Sequence, residues 1–130
     1  MMKNLLLTII LFVGANITFG QYNHFKVTDQ LASMLETSSD DTAIRVIILL
    51  EDELDVELLK IQLDSQPIEN EEKSKRILDA LRQKASTTQT DLLGDLQMYR
   101  NAGGVDEFES YWIINAISVV GDVRVIKALT

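Results

Sequence analysis

The only histidine in the 130-residue chain is His24. A Ser–His–Asp triad needs an imidazole to take the serine proton. His24 stands in a weakly patterned stretch, and the chain has no Gly-x-Ser-x-Gly elbow and no phosphate-cradling glycine loop. It therefore reads as a surface residue rather than a base. Cysteine is absent, which excludes thiol nucleophiles, thiolate metal sites and disulfides. The carboxylate cluster Glu51-Asp52-Glu53-Leu54-Asp55 lacks the glycine turn and alternating ligands of a calcium loop. It reads as a loop ending in a helix cap at Asp55. No catalytic residue, metal or cofactor is expected.

One amide remains. Asn115 interrupts the apolar run Tyr-Trp-Ile-Ile-Asn-Ala-Ile-Ser-Val-Val-Gly of residues 111–121. A buried amide is costly unless its groups are hydrogen-bonded. Asparagine readily satisfies the backbone of a turn. The run is thus expected to be two strands meeting at Ile114-Asn115, with Asn115 as the hairpin turn residue.

A hydrophobic content of 46% with 25% charged residues is that of a folded domain, and the length allows one. The net charge of −8 leaves no basic surface for nucleic acid. At the N-terminus a single Lys3 precedes nine mostly apolar residues, Leu5 to Val13. A bilayer-spanning helix needs about 20, so no stable membrane anchor is expected. Thr18 and Gly20 supply the small side chains of a signal-peptidase site, which places the cut between Gly20 and Gln21. Residues 1–20 are read as a signal peptide, and the chain as exported to the periplasm or beyond the cell.

The remaining elements follow from periodicity. Val27, Leu31, Met34 and Leu35 predict a short amphipathic helix capped by Thr28. Ile44 to Leu50 is nearly continuously apolar and predicts a strand buried on both faces. Asp55 opens a helix carrying Val56, Leu59 and Leu63, closed by Pro67. Asn70 starts a long helix whose stripe is Ile77, Leu81, Ala85, Thr88, Leu92, Leu96 and Tyr99, and Gly103-Gly104 ends it. Val105 to Ile114 and Asn115 to Val120 are strand-like, and Asp122 caps a last helix with Val125, Ile126 and Leu129.

This order predicts an α+β, ferredoxin-like (split β-α-β) antiparallel sheet with its helices on one face and its final strand missing. Phe108, Trp112, Ile114, Ile117 and Val119 then suit the core. Glu107, Glu109, Tyr111, Ala116 and Ser118 point outward, onto either a solvated face or a docking surface. Carboxylates there could meet the positive N-terminal ends of partner helices.

Taken together, Arg45 to Leu59, the helix segments Arg76–Leu81 and Ser86–Leu93, Tyr111–Ile117 and Val125–Leu129 resemble the N-terminal propeptide of secreted bacterial subtilisin-like serine proteases. The resemblance covers roughly 26–130. It implies a ferredoxin-like domain that docks its open sheet face on two surface helices of a protease domain. It also implies that the domain assists folding of that protease, normally its C-terminal neighbour in the same precursor, and inhibits it temporarily. By the resemblance, Glu107, Glu109, Tyr111, Ala116 and Ser118 are the docking candidates. The chain divides into 1–20, a lead-in segment 21–43 and a propeptide domain 44–130 that is expected to be incomplete at its end. Alternative readings are a free-standing secreted inhibitor of such proteases and a small exported structural or interaction module.

Overall fold

The computed structural model describes residues 27–130. The proposed signal segment, with its Gly20–Gln21 cut, and His24 lie outside the described residues. The elements are α1 (Asp29–Thr37), β1 (Ala43–Leu49), α2 (Val56–Asp64), α3 (Asn70–Asn101), β2 (Val105–Tyr111), β3 (Ala116–Asp122) and α4 (Val123–Leu129). The three strands form one antiparallel sheet in the order β1-β3-β2. The fold is α+β: β1 and β2 run parallel to each other with β3 between them, and the α3 crossover joins them on one face. This is the split β-α-β arrangement.

Local chemistry sets the helix boundaries. Thr28 accepts a hydrogen bond from the Leu31 amide at 3.3 Å, and Asp55 accepts one from the Leu58 amide at 2.9 Å. Both are side-chain N-caps that satisfy donors otherwise orphaned in the first turn. For α3 the cap position is Glu69, one residue earlier than Asn70, and no side chain caps it. Asp122 takes the cap position of α4 without a capping bond; its carboxylate lies 3.3 Å from Arg124 instead. The end of α3 is a Schellman turn. Gly103 has φ +82, the Gly104 amide donates to Tyr99 O at 2.9 Å, and the Gly103 amide donates to Arg100 O at 3.0 Å.

The core lies between the sheet and the helices. Ile44 and Ile48 of β1 and Ile117 and Val119 of β3 meet Leu92 and Leu96 of α3, and Val123, Val125, Ile126 and Leu129 of α4. Leu35 closes this core from α1, with Val27 and Leu31 packed beside it, while Met34 turns outward. Fully burying a leucine contributes about 1.5–3 kcal/mol, so Leu92 and Leu96 are principal anchors of the long helix.

Two expectations are corrected, and one further feature of β2 was not anticipated. First, β1 is not buried on both faces: Ile47 and Leu49 are 65% and 61% exposed. No second layer covers that side of the sheet among the described residues. Second, β2 ends at Tyr111, and Trp112 to Asn115 form the hairpin loop closed by the Tyr111–Ala116 pair. Ile114 is therefore 55% exposed rather than in the core. Beyond these, β2 contains a bulge at Asp106, between the pairs Val105–Gly121 and Glu107–Val120. The extra residue lets Val105 point inward while Glu107 points outward, which simple alternation forbids.

The long helix outruns the sheet. Its 32 residues span about 48 Å at 1.5 Å each, whereas seven-residue strands reach roughly 23 Å. Only the second half of the helix covers the sheet, through Ala85, Gln89, Leu92 and Leu96. Ile77 and Leu81 in the first half are half-buried, and that half packs against α2. Lys73–Asp64 at 3.1 Å ties the two helices together, and Arg76–Gln66 at 3.2 Å ties α3 to the connection between them.

Candidate docking face

On the side of the sheet away from the helices, alternation and register place nine residues in three rows. At the hairpin end Leu49, Ala116 and Tyr111 lie side by side. The middle row is Ile47, Ser118 and Glu109, and the far row is Arg45, Val120 and Glu107. All five residues expected on the outward face are on it. Their accessibility differs sharply, however. Ala116 is fully buried and Ser118 is 5% exposed, because both occupy the central strand between longer neighbours. The accessible walls come from β1 and β2, and small side chains form the floor between them. Ile47 and Leu49 of β1, now seen to be solvent-facing, are an accessible part of this surface that both-face burial had hidden.

The charged groups partly satisfy one another. Arg45 reaches across β3 to the Glu107 carboxylate and donates to Ser118 Oγ at 3.4 Å. Tyr111 donates its hydroxyl proton to Glu109 at 2.8 Å. That hydrogen bond to a carboxylate raises the Tyr111 pKa above the ordinary tyrosine value, with desolvation adding to it. The phenol therefore stays neutral at physiological pH, and among the described residues no salt bridge reaches Glu109. The face is polar at the Arg45–Glu107 end and apolar at the hairpin end.

The hairpin itself is held by Asn115. Its φ of +44 is a left-handed conformation that asparagine tolerates better than β-branched residues. Its side chain is buried and fully satisfied. Nδ2 donates to Asp52 O at 2.9 Å and to Thr88 Oγ1 at 3.0 Å, while Oδ1 accepts from Gln89 Nε2 at 2.9 Å. The Thr88 hydroxyl in turn donates to Lys84 O at 2.9 Å. Gln89 Oε1 accepts from the Ser110 hydroxyl, and Asn115 O accepts from the Leu50 amide at 3.0 Å. The turn expectation for Asn115 matches this geometry, but the residue does more: it bonds the hairpin to α3 and to the β1–α2 loop.

Gln89 was missed from sequence. The pattern held a signal, because positions 85, 89, 92 and 96 form one helical stripe and a glutamine in that stripe must find partners. The acidic loop is used structurally too. Asp52 pairs with Lys84 at 2.6 Å and Asp55 caps α2. Among the described residues no group of three or more His, Cys, Asp or Glu side chains is placed to hold a metal ion. No helix among them is long and apolar enough to cross a membrane. Compared with known proteins, the chain matches no protein-family model, no curated protein and no solved structure.

Proposed function

We propose that this chain is the propeptide region of a secreted subtilisin-like serine protease, which docks on the protease domain, assists its folding and inhibits it temporarily. Residues 1–20 direct its export, and the protein acts by binding rather than by catalysis. One observation carries the reading: among the described residues a split β-α-β sheet leaves a whole face open, and that face exposes Ile47, Leu49 and Tyr111 beside two carboxylates. A solvated face has no need of such a continuous apolar wall. The low floor at Ala116 and Ser118 lets partner helices approach the sheet closely. Glu109, in no salt bridge among the described residues, is a carboxylate that the positive end of a partner helix dipole would favour.

The test is refolding in trans. A denatured secreted subtilisin-type protease is returned to native buffer with and without the chain, and recovered peptidase activity is measured. The parent chain raises the yield. Ile47→Asp abolishes the gain by placing an unpaired charge in the contact, whereas Met98→Asp, on the exposed side of α3, leaves it intact. Equal rescue by both variants sinks the sheet-face reading.

A further inference from the structure

The two edges of the sheet are built differently. At the β2 edge Asp106 forms a bulge, and the carboxylates of Glu107 and Glu109 follow it. Bulges and charged side chains are the usual devices that keep an edge from pairing with another strand. β1 has no bulge, no proline and a single charged residue, Arg45, and it pairs with β3 in unbroken register over Ala43–Leu49. The hydrogen bonds show which groups its far edge presents. The Leu50 amide donates to Asn115 O at 3.0 Å, and the Val123 amide donates to Thr42 O at 2.9 Å. Alternate residues of an antiparallel strand bond to the same neighbour, so Thr42, Ile44, Val46, Ile48 and Leu50 turn their backbone groups to β3. Ala43, Arg45, Ile47 and Leu49 turn theirs to the far edge, where no strand lies among the described residues. Donors and acceptors in such a row are complemented by an extended strand.

We infer that this strand is β1 of a second copy of the chain, antiparallel about a twofold axis at Ile47, which joins two sheets edge to edge. The residues around that axis complement themselves. On the open face Ile47 meets the second copy's Ile47, and the stem of Arg45 meets its Leu49. On the core face Val46 meets Ile48 and Ile44 meets Leu50, so apolar side chains oppose one another throughout. Charge selects the same register. Arg45 comes to lie diagonally beside the second copy's Glu51, which is exposed and in no salt bridge among the described residues. An axis at Arg45 would set two guanidinium groups face to face, and an axis at Val46 would set them on the diagonal. Pairing also covers part of Ile47 and Leu49, which a single copy leaves exposed. The contact is isologous and closes at two copies, because it consumes one edge of each and leaves the bulged, acidic β2 edges outside. No protease domain takes part in it.

The chain has no cysteine, so one introduced thiol reports the register. Ile47→Cys places two thiols at the axis, where opposed Cα atoms are about 5.5 Å apart, within the range a disulfide bridges. Leu49→Cys sets its two thiols about 14 Å apart along the strands, outside that range. After mild oxidation, covalent dimers are expected from Ile47→Cys and not from Leu49→Cys. By sedimentation equilibrium the parent chain is expected to interconvert between monomer and dimer, and Ile47→Pro should weaken the dimer by roughly tenfold or more. Proline at 47 removes an edge N–H and no bond to β3, and circular dichroism checks the fold. Should that variant unfold, the two cysteine variants decide. Glu51→Lys, which brings like charges together, should weaken the dimer by roughly threefold. Equal crosslinking at 47 and 49, or a dimer indifferent to Ile47→Pro, overturns the edge pairing. A parent chain that stays monomeric overturns it as well, and leaves the β1 edge to a strand of a different protein.

Discussion

Gln89 donates to Asn115 Oδ1 at 2.9 Å, and the two amides are 1% and 5% exposed. They join the middle of the longest helix to the tip of the hairpin, 26 residues apart in sequence. Every buried side-chain polar atom among the described residues has a partner, so this contact belongs to a closed network whose members depend on one another.

Gln89→Leu removes the donor to Asn115 and the acceptor for Ser110 while keeping a similar volume. Unpaired buried polar groups cost about 1–3 kcal/mol each. The variant is therefore expected to lose about 2–4 kcal/mol in urea unfolding. Asn115→Ala should lose a similar amount, and Asn115→Gly about 1 kcal/mol less, since glycine adopts the positive φ without strain. Equal loss for alanine and glycine would show that the backbone conformation at 115 carries no cost.

Two glycines are expected to respond with opposite signs. A Cβ on Gly94, in the exposed middle of α3, meets nothing within 4 Å. Gly94→Ala should stabilise the protein by about 0.5–1 kcal/mol through helix propensity. A Cβ on Gly121 would sit 2.9 Å from Gly104 O and 3.2 Å from Val105 Cγ2. Gly121→Ala should therefore destabilise by about 1–3 kcal/mol, because neither the backbone carbonyl nor the bulged start of β2 can move aside freely. Thermal midpoints of the two variants on opposite sides of the parent are the predicted observation.

The pH dependence has a sign that follows from Asp40 and Glu72. The hydrogen bond from Lys127, and then its charge, lower the Asp40 pKa; Arg76 does the same for Glu72 through its hydrogen bond. A carboxylate with a folded-state pKa below its unfolded one contributes stability that is fully present above the unfolded value. That contribution is lost as pH falls through the folded value. Asp40 is exposed and Glu72 partly so, and solvent screens both pairs, so the effect on stability is small. The sharper measurement is an NMR titration: in Lys127→Met the Asp40 carboxyl should titrate at higher pH than in the parent, and an unchanged midpoint would exclude the pairing.

Local periodicity was enough for much of the architecture. The element order, the caps at Thr28 and Asp55, the Gly103-Gly104 stop and the outward set Glu107, Glu109, Tyr111, Ala116 and Ser118 all follow from residues within a few positions of one another. The reason is that helix and strand repeats, capping bonds and turn chemistry act over short stretches of chain. The bulge at Asp106 was not legible, since a bulge exists only relative to the partner strand. Likewise β1 reads as apolar on both faces, and Ile47 and Leu49 are exposed because no second layer covers them among the described residues. Burial of Ala116 and Ser118 on an open face, and the meeting of Gln89 with Asn115, were decided by tertiary structure alone. Whether a side chain is covered, and by what, depends on groups brought to it from distant parts of the chain.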